Sequence, residues 1–229
     1  MHTTRVALIT GASQGLGRAL AAGLAERGWT LVVDARRADR LAAAVEALPA
    51  GRVMAVPGDV ADPVHRAQLV DAVTSLGRLD LLVNNASTLG ASPLPALDAI
   101  DLDVFRQIYE VNVVAPVALT QPLLPLLDAS HGTIVNVTSD ASVEAYEGWG
   151  GYGSSKAALD HVSAVLAAEH PDVRVLAVDP GDMRTAMHQD AFPGDDISDR
   201  PLPEAVVPGL VALIESNHPS GRTRVSELV

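Results

Sequence analysis

The chain has 229 residues, 48% of them hydrophobic, a formal net charge of −12 and no cysteine. Its acidic balance argues against a surface that binds nucleic acid, and the lack of cysteine excludes disulfides, cysteine-bound zinc and cysteine-bound iron–sulfur clusters. The length suits one large domain, and we predict a single domain over residues 1–229.

Residue patterning also bears on metals and membranes. The seven histidines are scattered, without the i, i+4 spacing of a helical metal site, so we predict no metal. The N-terminus lacks the form of a signal peptide, and no apolar run is expected to reach membrane-spanning length. We therefore expect a cytoplasmic protein with no membrane partner.

The first predicted strand ends in a glycine-rich turn. Residues 6–10 are apolar, residues 11–17 are Gly-Ala-Ser-Gln-Gly-Leu-Gly, and a helical run rich in alanine and leucine follows. A strand, a glycine-rich turn and a helix form the context in which backbone N–H groups bind phosphate. The spacing is G-x-x-x-G-x-G rather than G-x-G-x-x-G, and an ordinary strand-to-helix turn is the alternative.

Strands and helices alternate along the rest of the chain. Further strands are predicted at 30–34, 52–56, 79–83, 133–138, 173–178 and 224–228, and helices at 38–48, 62–76, 101–128, 151–169 and 203–216. Asp62 is the expected N-cap of its helix, while Pro116, Pro122 and Pro125 are expected to kink or interrupt theirs. This alternation predicts an α/β fold with a Rossmann-type, doubly wound, mostly parallel seven-stranded sheet flanked by helices on both faces.

Residues that carry chemistry follow the carboxyl ends of these strands, where doubly wound sheets bind ligands. Ser139 follows the strand at 133–138 and precedes a predicted helix that carries Tyr152 and Lys156. Residues four apart share a helix face, so the Lys156 ammonium is expected near the Tyr152 phenol, whose pKa it would lower. Such a phenol can exchange a proton with an alcohol or ketone. A Tyr and a Lys on a partly solvated helix are the alternative.

Together these motifs resemble the short-chain dehydrogenase/reductase family, in its compact single-domain form. The resemblance spans about residues 5–185 and is carried by Thr10-Gly11-x-x-x-Gly15-x-Gly17, Asp59-Val60, Asn84-Asn85-Ala86, Asn112, Ser139, Tyr152-x-x-x-Lys156 and Pro180-Gly181 with Thr185. Ser87 departs from the pattern, because the family usually has glycine there.

The resemblance implies an NAD(P)-dependent oxidoreductase that interconverts a ketone or aldehyde and an alcohol by hydride transfer. Tyr152 would be the general acid or base, Lys156 would hold the nicotinamide ribose, and Ser139 would donate to the substrate oxygen. Asn112 would interrupt its helix and hold a water that links Lys156 to solvent. The residues implied in cofactor binding are Gly11, Ser13, Gln14, Gly15, Leu16, Gly17, Arg36, Asp59, Val60, Asn85, Ala86, Tyr152, Lys156, Pro180, Gly181, Met183 and Thr185.

Within that set, Asp59 and Val60 would contact adenine, Asn85 and Ala86 would lie along the adenosine ribose, and 180–185 along the nicotinamide. The residues after the second strand favour NADP(H), with NAD(H) as the alternative. Asp34 could bind the ribose 2′-hydroxyl of NAD, but it is expected to point elsewhere, and Arg36 could pair with the 2′-phosphate of NADP. Gln14 argues for NAD(H) instead, because many members of the family that use NADP have a basic residue at this position.

The predicted substrate is a neutral or cationic carbonyl compound, or the matching alcohol, with a hydrophobic body. Acidic residues near the predicted mouth would repel a carboxylate; they are Asp140, Glu144, Glu147 and Asp182, and solvated surface acids are the alternative. Residues 182–203, polar and rich in proline and glycine, are expected to cover the site.

The resemblance also implies a homodimer or homotetramer built through the helices at 101–128 and 151–169. Two other functions stay open at this point: an NAD-dependent epimerase or dehydratase, and a non-catalytic regulator that senses dinucleotides. The retained Ser139, Asn112, Tyr152 and Lys156 argue against the regulator, and the short C-terminus argues against the epimerases.

Overall fold

The apolar runs of the sequence form one sheet in the computed structural model, which describes residues 4–227. The strands are β1 (Val6–Ile9), β2 (Thr30–Ala35), β3 (Val53–Pro57), β4 (Leu81–Asn84), β5 (Thr133–Val137), β6 (Arg174–Asp179) and β7 (Gly221–Arg224). All neighbouring strands are parallel, in the order β3-β2-β1-β4-β5-β6-β7. The predicted fold class is confirmed, and the order reverses between β1 and β4, where such sheets form their ligand crevice.

Helices cover both faces of this sheet. They are α1 (Gly15–Glu26), α2 (Ala38–Glu46), α3 (Pro63–Ser75), α4 (Leu102–Tyr109), α5 (Ala115–Ser130), α6 (Gly150–Glu169), α7 (Ala186–Ala191) and α8 (Pro203–Glu215). Successive strand residues point to opposite faces. Accordingly Ala7 and Ile9 of β1 join the core under α1 and α8, while Val6 and Leu8 join the core under α3 and α5.

The start of α3 follows the predicted capping. Asp62 has an extended backbone and its side chain accepts a hydrogen bond from the Val64 N–H, with Pro63 at the first helical position. The aspartate thereby satisfies a backbone donor that the first turn leaves unpaired.

The helix predicted at 101–128 is interrupted, but not at its prolines. A π-helical turn, Glu110–Val114, separates α4 from α5 and contains Asn112. Pro116 lies in the first turn of α5, directly after the π-helical turn, and α5 continues through Pro122 and Pro125. Both of these prolines are exposed, so water can reach the carbonyl oxygens that lose their helical donors.

Two other expectations need correction. Leu102–Ser130 is long and apolar enough, by length and composition alone, to cross a membrane, although core helices pass the same test; here Leu119, Leu123 and Leu127 pack against the sheet. The last strand ends at Arg224 rather than spanning 224–228, because its Gly-Arg-Thr-Arg sequence has no apolar run and a 3₁₀ turn follows at Val225–Glu227; residue 228 lies outside the described residues.

Candidate active site

The glycine-rich turn lies at the carboxyl end of β1, and two of its glycines are needed for close backbone approach. Gly11 has φ +70°, and a Cβ there would lie 2.9 Å from the Ala86 Cα. A Cβ on Gly17 would lie 2.5 Å from both the Gly11 carbonyl oxygen and the Asn85 Nδ2. Any larger residue at either position would push the turn away from β4 and open the floor of the crevice.

The N-terminus of α1 has the features of a phosphate site. Gln14 occupies the N-cap position but makes no capping hydrogen bond through its side chain, and the first turn contains no acidic residue. Its backbone N–H groups and the positive end of the helix dipole are therefore available to an anion. Ser13, Gln14, Gly15 and Leu16 line the cleft, so these residues fit a dinucleotide pyrophosphate.

Thr10 and Asn85 tie the ends of β1 and β4 together. The Thr10 hydroxyl accepts hydrogen bonds from the N–H groups of Asn85 and Ala86, both at 3.0 Å. The Asn85 side chain donates to the carbonyl oxygens of Thr10 (2.8 Å) and Gly11 (3.2 Å). The side-chain nitrogen of Asn85 is thus used to hold the backbone of the glycine loop. The main chain of Asn85 and Ala86 is the part that faces the cleft.

A buried carboxylate supports the same loop from below. Asp34 in β2 is 1% exposed and accepts a hydrogen bond from the Gly11 N–H at 2.8 Å. Its other oxygen lies 3.1 Å from Nε2 of the buried His65 in α3. Burial raises the pKa of Asp34, and the hydrogen bond to Asp34 raises the pKa of His65. Asp34 lines the cleft, but its carboxylate is held by the Gly11 N–H and by His65, two contacts that sequence reasoning missed.

Arginines surround the outer end of the cleft, beyond β2. Arg36, Arg37 and Arg40 all line it. Arg37 is paired with Asp39 at 2.7 Å, and Arg40 donates to the Gln14 side chain at 2.9 Å, whereas Arg36 makes no ion pair with any residue in 4–227. Arg40, in the first turns of α2, was not predicted. It supplies the positive charge that Gln14 lacks.

At the inner end of the cleft, Ser139, Tyr152 and Lys156 line one wall. Ser139 caps the short helical turn Asp140–Ser142; its hydroxyl donates to the Asp140 carboxylate at 3.0 Å and accepts from the Ala141 N–H at 3.2 Å. Its carbonyl oxygen accepts from Arg222 of β7 at 3.1 Å. The strand end and the capped turn together fix where the hydroxyl lies.

The Tyr152 phenol has a raised pKa, not a lowered one. Burial raises the pKa of Tyr152. The hydroxyls of Ser139 and Ser87 face the phenol and lower its pKa, but their effect is smaller than that of burial. The Lys156 ammonium lies 5.5 Å from the Tyr152 ring centroid and donates to the Val137 carbonyl oxygen at 2.8 Å. The expectation that Lys156 lowers the phenol's pKa is therefore wrong for the protein alone. Burial instead lowers the pKa of Lys156 to about 8.

Asn112 lies behind this wall rather than in it. Its side-chain oxygen accepts from the Ser87 hydroxyl (3.1 Å) and the Thr88 N–H (2.9 Å). Its amide nitrogen donates to the Thr88 carbonyl and the Ser155 hydroxyl, both at 3.0 Å. All four hydrogen-bonding positions of the Asn112 amide are used within the protein. The side chain thus fixes the loop after β4 against α6.

The first half of the segment 182–203, from Asp182 to Ala191, contributes residues to the lining of the cleft. Thr185 caps α7 by accepting from the His188 N–H, and a Cβ on Gly15 would contact its methyl group at 3.5 Å, so the two sides of the cleft meet here. Met187 and His188 of α7 also line the cleft. Trp149 stacks edge-on against Tyr152 at 5.6 Å. The inner end is therefore apolar around the reacting hydroxyls.

The acidic residues predicted at the mouth are largely paired. Asp140 lies 3.8 Å from Arg224, and Asp182 lies 3.6 Å from Arg200. Glu144 and Glu147 are exposed and do not line the cleft. The negative field expected from these four side chains is weaker than the sequence suggested, because arginines far away in the sequence neutralise the two that face the cleft.

Most of the predicted site residues share this one cleft. Those lining it are Gly11, Ser13, Gln14, Gly15, Leu16, Arg36, Asp59, Val60, Asn85, Ala86, Ser139, Tyr152, Lys156, Pro180, Gly181, Met183 and Thr185. Gly17 and Asn112 do not line it and act from behind. Lining residues that sequence reasoning did not single out include Arg40, Thr88, Leu89, Val137, Thr138 and Ala191.

Comparison with known proteins agrees with this geometry. The family sequence model for short chain dehydrogenases matches residues 5–196 of this chain. Sepiapterin reductase of Rattus norvegicus is 37% identical over 199 residues, covering 80% of this chain and 76% of the relative. Among solved structures, the KRED1-Pglu enzyme superposes with a TM-score of 0.87 at 32% identity, covering 96% of this chain and all of the other.

A second solved structure bears on the cofactor. A putative short chain dehydrogenase from Escherichia coli CFT073, complexed with NADPH, superposes with a TM-score of 0.87 at 29% identity, covering 96% of each chain. The chain therefore shares its whole fold, and more than a quarter of its residues, with a protein that holds this cofactor.

Proposed function

The chain belongs to the short-chain dehydrogenase/reductase family of oxidoreductases, and we propose that it catalyses the NADPH-dependent reduction of a ketone or aldehyde to an alcohol, or the reverse. The observation that carries this proposal is the shared cleft, with an uncapped helix N-terminus at one end and the Tyr152 phenol, the Ser139 hydroxyl and the Lys156 ammonium at the other. The nicotinamide ring supplies the hydride when the cofactor is bound.

The protonation state of Tyr152 favours reduction near neutral pH. Because burial raises its pKa, the phenol carries its proton, which is the form a general acid needs to protonate the developing alkoxide. Ser139 would donate a hydrogen bond to the same oxygen by turning from Asp140, and Lys156 would hold the ribose hydroxyls. Oxidation of the alcohol needs the phenolate and is favoured at alkaline pH.

NADP(H) is the proposed cofactor, ahead of NAD(H). Asp34, which could otherwise select NAD, uses its carboxylate on the Gly11 N–H and on His65. Arg36 and Arg40 line the cleft beyond β2, where they can pair with a 2′-phosphate. An NADPH-bound family member with the same fold supports this choice.

The proposed substrate is an uncharged carbonyl compound with a hydrophobic body. Trp149 lies 5.6 Å from Tyr152 and 5.8 Å from Phe192, ring centroid to centroid, and it lines the cleft beside Met187. An apolar group bound against this wall would place its carbonyl near the phenol. Since Asp140 and Asp182 are paired with arginines, the wall, more than charge repulsion, supports the substrate class.

We place the chain in the cytoplasm as a single domain, with 182–203 covering the substrate, and propose that it assembles as a homodimer or homotetramer. The outer faces of α5 and α6 support assembly, because Val114 before α5 and Val165 in α6 are exposed apolar residues. Two such faces packed together would bury them.

The test compares purified wild type with Tyr152→Phe. NADPH and NADH binding are titrated by cofactor fluorescence, and a panel of neutral and carboxylate-bearing ketones is followed by NADPH absorbance. Turnover of neutral hydrophobic ketones by wild type, with NADPH binding retained but turnover lost in Tyr152→Phe, supports the proposal. Turnover that survives in Tyr152→Phe, a clear preference for carboxylates, or cofactor that co-purifies and is never released would overturn it.

A further inference from the structure

Ser87 lies at a distinctive position in this cleft. The family resemblance leads one to expect glycine after Asn84-Asn85-Ala86, and this chain has a side chain with a hydroxyl there. Ser87 is half-buried and lines the cleft with Tyr152 and Ser139. The site thus contains a third hydroxyl besides those of Tyr152 and Ser139.

One hydrogen bond fixes the Ser87 hydroxyl on the side away from the cleft. It donates to the Asn112 side-chain oxygen at 3.1 Å, so its own oxygen keeps its lone pairs free on the cleft side. On that side it faces the Tyr152 phenol, whose pKa it lowers together with Ser139. Asn112 is itself hydrogen-bonded to Thr88 in the loop after β4 and to Ser155 in α6. The acceptor of the Ser87 hydroxyl is therefore anchored to two structural elements.

We propose that Ser87 is a positioning residue for proton transfer: its hydroxyl donates to Asn112 while the Tyr152 phenol gives its proton to the substrate oxygen, and it turns to donate to the Tyr152 phenolate after the transfer. This inference rests on the proposed function. In reduction, the Tyr152 O–H bond breaks, the O–H bond of the alcohol forms, and the phenolate later regains a proton from water. Ser87 keeps its own proton throughout, and only the direction of its hydrogen bond changes.

The surroundings of Ser87 make this change of partner inexpensive. When the Ser87 hydroxyl turns from Asn112 to the phenolate, the Asn112 oxygen still accepts from the Thr88 N–H at 2.9 Å. No buried acceptor is therefore left without a donor. A hydrogen bond to an anion is stronger than one to a neutral oxygen, so the phenolate is the better partner.

The charged groups near the phenol show why an extra donor is useful. Asp179 and Asp140 both raise the pKa of Tyr152, in addition to its burial. Lys156 lies 5.5 Å from the ring centroid, and its amine is directed to the Val137 carbonyl. Both carboxylates disfavour the phenolate although each has an arginine partner, and Ser87 and Ser139 are the hydroxyls that favour it.

The experiment measures alcohol oxidation between pH 6 and 10.5 with Ser87→Ala and Ser87→Thr. Without the donor, the alkaline rise of kcat in Ser87→Ala moves up by about 0.5–1 pH unit, which is a loss of about 3- to 10-fold at pH 8. The NADPH dissociation constant changes less than about twofold. Ser87→Thr keeps the hydroxyl and restores the wild-type profile. Ser154→Ala is the matched control, because its exposed hydroxyl bonds the Gly151 carbonyl outside the cleft.

A pH profile of Ser87→Ala that superposes on wild type, or a Thr variant that behaves like the Ala variant, overturns the inference. So does a selective loss of NADPH binding in Ser87→Ala, which would make Ser87 a cofactor contact. Tyr152→Phe separates the two proposals: residual turnover there removes the proposed function itself, whereas an inactive Tyr152→Phe with an unshifted Ser87→Ala removes only the role of Ser87.

Discussion

The Asp34 carboxylate accepts a hydrogen bond from the Gly11 N–H at 2.8 Å, so the end of β2 holds the first glycine of the turn after β1. Gly11 has φ +70°, a backbone conformation open to glycine at low cost. Asp34 is buried, so its carboxylate needs donors, and the Gly11 N–H supplies one of them. The acidic residue near the cofactor thus serves the loop that binds it.

Replacing Asp34 by Ala should weaken NADPH and NADH binding by similar factors. The substitution leaves the Gly11 N–H and His65 unpaired, which should lower the free energy of unfolding by about 2–4 kcal/mol and loosen the loop. Fluorescence titration measures binding and urea denaturation measures stability. Loss of NADH binding alone would mean that Asp34 contacts the ribose instead. Asp34→Asn retains an acceptor for Gly11 and should bind cofactor better than Asp34→Ala.

The pair of Asp34 and His65 should make stability depend on pH. The pKa of His65 is raised by Asp34, so its contribution is fully present below pH 6.5 and is lost as pH rises through its higher folded-state value. Urea unfolding from pH 6 to 8 should therefore show wild type losing more stability than His65→Gln. Parallel curves would contradict this, and His161→Gln, at an exposed histidine, is the control.

Arg36→Ala should reduce NADPH affinity by about 10- to 100-fold and leave NADH affinity unchanged, because a charge-assisted hydrogen bond to the 2′-phosphate is lost. Arg40→Ala should have a smaller effect, since Arg40 also bonds Gln14. Titrations with both cofactors measure the ratio. Arg18→Ala, which removes an exposed charge from α1 outside the cleft, controls for general electrostatics. Equal losses for NADPH and NADH would argue against a 2′-phosphate site.

Local patterns predicted what local forces determine. The apolar runs predicted the first six strands, the Asp62-Pro63 pair predicted the start of α3, and the four-residue spacing predicted that Tyr152 and Lys156 share one helix face. Because parallel strands present their carboxyl ends at one edge, the residues that follow them had to converge. Most of the predicted cofactor residues accordingly line one cleft.

Contacts between distant segments could not be predicted in this way. The distance of 31 residues between Asp34 and His65, or of 84 between Asp140 and Arg224, leaves no periodic signal in the sequence. The raised pKa of Tyr152 is likewise a result of burial, which depends on how Trp149 and the loop after β4 close around the phenol. The spacing of Tyr152 and Lys156 predicted that the two side chains lie close together, but it did not predict that the pKa of Tyr152 is raised.

Trp149→Ala should raise KM for bulky hydrophobic ketones by about 10-fold or more, and raise it less for small ones. The indole lies against Tyr152 and Phe192 and supplies most of the apolar wall, so its loss removes buried contact area from a large substrate. Steady-state kinetics on ketones of increasing size test this. An equal effect on all ketones would mean that Trp149 mainly positions Tyr152, and Trp149→Phe should recover much of the wild-type difference.

Lys156→Met should abolish turnover while making the protein more stable at pH 7. The ammonium is 2% exposed and has one hydrogen bond, to Val137, and its burial lowers its pKa to about 8 from 10.5 in the unfolded chain. The charged form therefore costs up to about 3 kcal/mol in the folded state, and an apolar side chain of similar length avoids that cost. Since the unfolded chain binds the proton more tightly, the cost declines as pH rises from 8 to 10.5. Urea unfolding at pH 7 and pH 10 should show the advantage of Lys156→Met shrinking at the higher pH. A variant less stable than wild type at pH 7 would mean that the bond to Val137 outweighs the desolvation of the ammonium.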